Sequence, residues 1–256
     1  MDATRSFSIT RIPGTSEEDL VPAEEPLEVR VGERPLAVIM RTPGDDFDLA
    51  TGFLLTESVV HAAGDIADIR HWGSPNVVRV ALRDGLSVDW QRLQRHVYAS
   101  SSCGVCGKAS IDSLRIATAR LDDESPLDSS VLGTLPDKLR AAQRAFDVTG
   151  SIHAAGAFTP DGTLVCARED VGRHNAVDKV IGSLARNGGS GAVMAVSGRA
   201  SFEVVQKCVV ARIPALIAVG GPTSLAVELA REFNLTLAGF VRDGRMNIYS
   251  GGERVV

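Results

Sequence analysis

The sequence predicts an α/β protein in which a C-terminal domain, layered around a mixed sheet, follows a smaller N-terminal α+β unit. Three observations carry that reading. Beyond residue 150, short apolar runs alternate with segments whose apolar residues recur at helical spacing, the pattern of a sheet covered by helices. The first two of those runs flank Pro160-Asp161-Gly162, a turn that pairs them as an antiparallel hairpin and so makes the sheet mixed. The first hundred residues instead show paired short strands around turn signals, with one helix among them.

In chain order, residues 1–25 are rich in Thr, Ser, Glu and Pro and are expected to form a flexible tail. Residues 27–31 and 36–41 read as strands around Gly32-Glu33-Arg34-Pro35. Asp45 or Asp46 is placed to cap a helix carrying Leu49, Phe53 and Leu54. Two more strands, 66–72 and 77–82, flank Gly73-Ser74-Pro75-Asn76, which completes a small α+β domain over residues 26–100. The second domain, 101–256, opens with a cysteine loop at 101–107 and a helix from about Lys108. A loop is expected over 122–136 and a helix over 136–146. Next come strands at 152–158 and 164–167, a helix at 172–186, a strand at 192–196 and a helix at 199–212. A strand at 215–219, a helix at 222–233 and a strand at 235–241 complete the series, and right-handed crossovers would make the later strands parallel.

With 256 residues and 44% hydrophobic content, the chain can bury a sizeable core, so disorder of the whole chain is excluded. Its 32 acidic and 27 basic side chains leave a net charge of −5, which argues against generic binding of nucleic acid. The first residues hold no apolar run behind a positive head, and no later stretch is long and apolar enough to span a bilayer. A cytoplasmic, unprocessed protein with no membrane contact is expected.

Four cysteines in such a chain do not make a disulfide framework, and two of them, Cys103 and Cys106, stand three apart. Ser100-Ser101-Ser102-Cys103-Gly104-Val105-Cys106-Gly107-Lys108 places both thiols on a loop of small residues leading into a helix. Lys108 and the positive end of that helix favour thiolate over thiol, and the thiolate is the nucleophile in sulfur exchange. Cys103 therefore suits a persulfide carrier, with Cys106 in a supporting role. Three other readings compete. Structural zinc wants four ligands and finds one pair here, so no metal is expected. A thioredoxin-like dithiol wants a buried strand before the pair, which 95–100 does not supply. A bland loop with two buried cysteines is the third, and the flanking serines and glycines count against it.

Three strand-to-helix junctions carry small or polar residues: 168–175 with Gly172, Arg173 and His174; 197–201 with Ser197, Gly198 and Arg199; and 220–224 with Gly220 and Gly221. Helix starts offer free N–H groups to anions, and ligands collect at strand carboxyl ends of open α/β sheets, so these junctions are expected to line one nucleotide-sized crevice. A fourth strand runs into Phe240-Val241-Arg242-Asp243-Gly244-Arg245, adding two guanidinium groups suited to phosphate. None of these segments fits a phosphate-binding P-loop or a Rossmann fingerprint.

The hairpin followed by alternating helices and strands is also the layout of cytidine-deaminase-like folds. His153-Ala154-Ala155 resembles their zinc-binding H-x-E element, with Ala155 in place of the catalytic glutamate. Deamination is not expected. Taken together, 101–107, His153-Ala154-Ala155, 168–179, 197–203 and 245–249 resemble, in the same order, the motifs of the FdhD family of formate dehydrogenase accessory sulfurtransferases. The resemblance covers about residues 25 to 250. It implies a cytidine-deaminase-like C-terminal domain, a homodimer, and transfer of sulfur from a cysteine desulfurase to the molybdenum bis-pterin guanine dinucleotide of formate dehydrogenase. It matches Cys103 to the persulfide residue, Cys106 to its partner and 240–245 to the cofactor-binding segment, where Asp243-Gly244 is less basic than the family pattern. The reading from another class is a nucleotide-binding, redox-sensing accessory protein without sulfur transfer.

Overall fold

The computed structural model describes residues 2–86, 88, 90 and 118–256. The cysteine loop, with Cys103 and Cys106, and the helix expected from Lys108 lie outside the described residues.

Residues expected to form a tail instead make a two-stranded ribbon, β1 (Thr4–Arg11) and β2 (Thr15–Pro22), in antiparallel register from Thr4 opposite Pro22 to Arg11 opposite Thr15. Cross-strand polar pairs replace a hydrophobic core here: Ser6 and Ser8 both donate to Glu18, and Arg11 pairs with Glu17.

The N-terminal unit is a four-stranded sheet of β3 (Glu25–Val31), β4 (Arg34–Arg41), β5 (Ile66–Trp72) and β6 (Ser74–Leu82), ordered β4-β3-β6-β5. Strands β3 and β6 are parallel, and both edges are antiparallel. Leu27, Val29, Val31, Val78 and Val80 point to one face and bury against Leu49, Ala50 and Leu54 of α1 (Asp46–Thr56). Asp45 stands at the N-cap of α1 but makes no side-chain cap bond. Asp46 is drawn instead into a bidentate pair with the fully buried Arg41, at 2.8 and 3.0 Å.

The C-terminal sheet has six strands in the order β12-β11-β10-β9-β7-β8. They are β7 (His153–Phe158), β8 (Leu164–Asp170), β9 (Val193–Val196), β10 (Ala215–Ala218), β11 (Thr236–Arg242) and β12 (Arg245–Ser250). Strands β9, β10 and β11 are parallel; β7 runs antiparallel to both β8 and β9, and β12 antiparallel to β11.

Alternation of side chains across the strands feeds two cores. Met194, Val196, Leu216 and Ala218 pack against α4 (Arg173–Asn187), α5 (Phe202–Val210) and α6 (Ser224–Glu232). Val193, Ala195, Ala215 and Ile217 pack against Leu132, Leu135 and Leu139 of α2 (Ser129–Ala141) on the other face. The layers are thus helix, mixed sheet, helix.

Helix α2 corrects the expected loop over 122–136. The Asp128 carboxylate accepts from the Ser130 N–H at 2.8 Å and starts the helix, and its three buried leucines outweigh the propensity cost of Pro136 within it. The helix expected over 136–146 is therefore divided: α2 ends at Ala141, and a short α3 (Arg144–Thr149) follows Gln143.

The N-terminal unit is clamped to this domain through α1 and α4. A Cβ at Gly52 would overlap the backbone carbonyl of Asp178, and one at Gly182 that of Asp48, so the two helices cross at backbone contact. Among the described residues no helix is long and apolar enough to cross a membrane.

Candidate functional site: a rim of strand ends

Because β8, β9, β10 and β11 run in one direction, their carboxyl ends share one rim of the sheet, and the start of β7 at His153 joins them. The junctions singled out in the sequence, 172–174, 197–199, 220–221 and 240–245, all fall there. Backbone hydrogen bonds stitch the rim together beyond the strands: Val219 N–H donates to Val196, Gly220 N–H to the Gly198 carbonyl at 3.0 Å, and Phe240 N–H to the Gly220 carbonyl at 3.2 Å.

Glycines leave room for larger neighbours. A Cβ on Gly220 would meet Arg199 at 3.0–3.1 Å, and one on Gly221 would run into the Phe240 ring. Phe240 adopts φ +54°, a conformation disfavoured for a bulky residue, at an irregularity between β11 and β12, and its ring is 56% exposed.

Past Phe240 the chain is a tight hairpin rather than an open loop. Asp243 and Gly244 both have positive φ, 50° and 71°, as the turn between twisted strands requires, and Arg242 stands opposite Arg245. Arg242, Asp243 and Arg245 are exposed, whereas the Val241 side chain is buried in the core on the α2 face. Arg242 lies 3.5 Å from Asp243, an exposed pair that holds neither side chain firmly.

At the other end, α4 and α5 begin side by side on the rim, and neither Gly172 nor Ser201, their N-cap residues, supplies a side-chain cap. Arg173, the first residue of α4, has a buried Nε with no hydrogen-bond partner among the described residues. His174 Nε2 lies 2.6 Å from the nearly buried Glu203 and 3.3 Å from Ser201 Oγ, tying the two helix starts together. Ser197 is committed to the sheet: its Oγ accepts from the Ala154 N–H at 2.9 Å. The orphaned guanidinium N–H and the uncapped helix starts are donors of the kind that phosphate oxygens accept from.

Two groups behind the rim lie within the quoted motifs but have no role assigned from the sequence. Asp170, sealed from solvent, pairs with buried Lys179 at 2.8 Å and accepts from the N–H groups of Gly172 and Thr42, so it positions the 171–175 junction and holds it to the end of β4. Glu203 is the other, the partner of His174 across 29 residues of sequence. Its position at the end of the 197–203 motif and its place in the first turn of an expected helix are the signals that point to it.

His153 is half-buried, and burial first, then the neighbouring Arg173 and His174, push its pKa below the ordinary histidine value, with Asp170 opposing. Ala155, two residues on, is wholly buried in the core. Of the described cysteines, Cys208 is fully buried with its thiol pushed up to about 12, and burial also raises Cys166. Neither suits a reactive thiolate.

A model of the FdhD/NarQ family matches residues 22–256 of the chain. A protein of Streptomyces avermitilis named sulfur carrier protein FdhD is 51% identical over 252 residues, covering 93% of this chain and 89% of that protein. One of the same name from Mycolicibacterium paratuberculosis is 48% identical over 245 residues, covering 91% and 90%. A crystal structure assigned as a formate dehydrogenase accessory protein of Desulfotalea psychrophila superposes with a TM-score of 0.78 at 23% identity, covering 99% of this chain and 98% of that one, which establishes a shared fold.

Proposed function

This chain belongs to the FdhD/NarQ family, and we propose that it is a sulfur carrier serving formate dehydrogenase, with Cys103 as the residue that bears the sulfur. The observation that carries the reading is near-complete coverage by relatives named as sulfur carriers, at about half identity. The raised thiol pKa of the buried Cys208 and the half-buried Cys166 supports it, because it leaves Cys103 and Cys106 to do the chemistry.

In the proposed loading step, the Cys103 thiolate attacks the outer sulfur of a persulfide on a cysteine desulfurase. One S–S bond forms as the donor's breaks, the donor departs as a thiolate, and no net oxidation occurs. The client is the molybdenum bis-pterin guanine dinucleotide of formate dehydrogenase, which is cargo rather than a resident cofactor. Arg173, Arg199, Arg242 and Arg245, beside the Gly172, Gly198, Gly220 and Gly221 junctions, would supply cations to its diphosphates, and the uncapped starts of α4 and α5 would offer N–H groups. Phe240 would stack on a planar ring. A homodimer working in the cytoplasm belongs to the same reading.

Intact-mass measurement after incubation with a cysteine desulfurase and cysteine tests the proposal. A gain of one sulfur atom supports it. Binding of guanine nucleotide without that gain would favour the redox-sensing accessory protein.

A further inference from the structure

Most polar side chains at the rim have a protein partner, as buried polar groups should. His153 is different. Its ring stands at the first residue of β7, between Asp170 of β8 and the Ser197-Gly198 junction after β9, and it is half-buried. The position a Cβ of Gly198 would take lies 3.5 Å from its Nδ1. Yet among the described residues neither ring nitrogen has a hydrogen-bond partner. Ser197, at the junction after the neighbouring strand, accepts from the Ala154 N–H with its oxygen, and His174 is held by Glu203.

A second observation concerns spacing. His153 and Phe240 lie on β7 and β11, with β9 and β10 between them, which separates them along the rim by about 14 Å at ordinary strand spacing. One planar ring does not reach both. The glycine junctions and Arg199 lie between the two, so a ligand with its phosphates over the middle can place one ring on Phe240 and another at His153.

We propose that His153 is a specificity-determining residue of the rim, one of whose ring nitrogens hydrogen-bonds the 2-amino-4-oxopyrimidine edge that guanine and pterin have in common. That edge presents two adjacent donors, the ring N–H and the amino group, between two acceptors, and the unprotonated nitrogen of a neutral imidazole accepts from one of the donors. Burial and the nearby Arg173 and His174 keep the imidazole in its neutral form, against the opposing pull of Asp170, so it adds no charge to the phosphate clamp and is free to read a neutral edge. The inference rests on the guanine-dinucleotide reading of this rim.

The test is titration of wild type, His153→Ala and His153→Gln with GDP, inorganic pyrophosphate and 6-hydroxymethylpterin. Loss of one hydrogen bond predicts that His153→Ala binds one of the two ring-bearing probes about three- to tenfold more weakly, with pyrophosphate affinity unchanged and partial recovery in His153→Gln. A loss confined to GDP assigns the edge to guanine, and one confined to the pterin assigns it to pterin. Equal weakening of all three probes, or no change in any, overturns the inference by making His153 a packing residue. Wild type that binds neither GDP nor pyrophosphate removes the nucleotide reading itself, and the inference with it.

Discussion

Lys179 and Asp170 form an ion pair of 2.8 Å with both side chains sealed from solvent, at the joint where α4, β8 and the end of β4 meet. Lys179 also donates to the Thr42 carbonyl at 2.9 Å, and Asp170 accepts from the Thr42 N–H, so the pair ties the N-terminal unit to the rim. Lys179→Met leaves the Asp170 carboxylate buried without its cation. It should cost about 3–5 kcal/mol of stability, because a stranded charge costs far more than a surface pair contributes. Urea unfolding checks the value, and a loss below about 1 kcal/mol would mean that Asp170 finds compensation elsewhere.

The depressed pKa of His153 gives stability a defined pH dependence. A histidine whose folded value lies below its unfolded value of about 6.5 takes up protons preferentially when unfolded. Its contribution is fully present above about pH 6.5 and is lost as pH falls towards the folded value. Wild type should therefore lose stability on acidification through this window more steeply than His153→Gln. Parallel stability curves for the two proteins would show that other groups govern the slope.

Arg245 begins β12 directly after the Asp243-Gly244 turn and is exposed, so Arg245→Ala should fold normally. Loss of a charge-assisted phosphate contact of about 1.5–3 kcal/mol predicts GDP binding weaker by about ten- to a hundredfold. Circular dichroism with nucleotide titration checks both parts. Unchanged affinity would move the phosphates to the 172–174, 197–199 and 220–221 junctions.

The sequence reveals those parts of the fold whose burial repeats locally. The parallel strands β9 and β10 are wholly buried and read as apolar runs, and the Ile66–Trp72 strand was delimited to the residue by its flanking turn signals. That the glycine-bearing junctions share a rim follows from the same alternation. The β1–β2 ribbon was hidden because Ser, Thr and Glu on both strands form cross-strand pairs, which composition alone reads as disorder. Helix α2 was hidden by Gly133 and Pro136, whose local costs are overridden by leucines that meet the sheet only in the fold. The close crossing at Gly52 and Gly182, and the links from Asp170 to Thr42 and from His174 to Glu203, join positions 29 or more residues apart and leave no periodic trace.

The central claim is that Cys103 carries the sulfur, and intact-mass analysis of wild type and Cys103→Ala, each incubated with a cysteine desulfurase and cysteine, tests it most directly. Wild type should gain one sulfur atom that a thiol reductant removes, as expected of a persulfide, while Cys103→Ala gains none and keeps GDP affinity within about threefold, since a change under about 0.7 kcal/mol is all that an intact rim allows. A variant that still gains sulfur at the wild-type rate, or a wild type that gains none, would contradict the account.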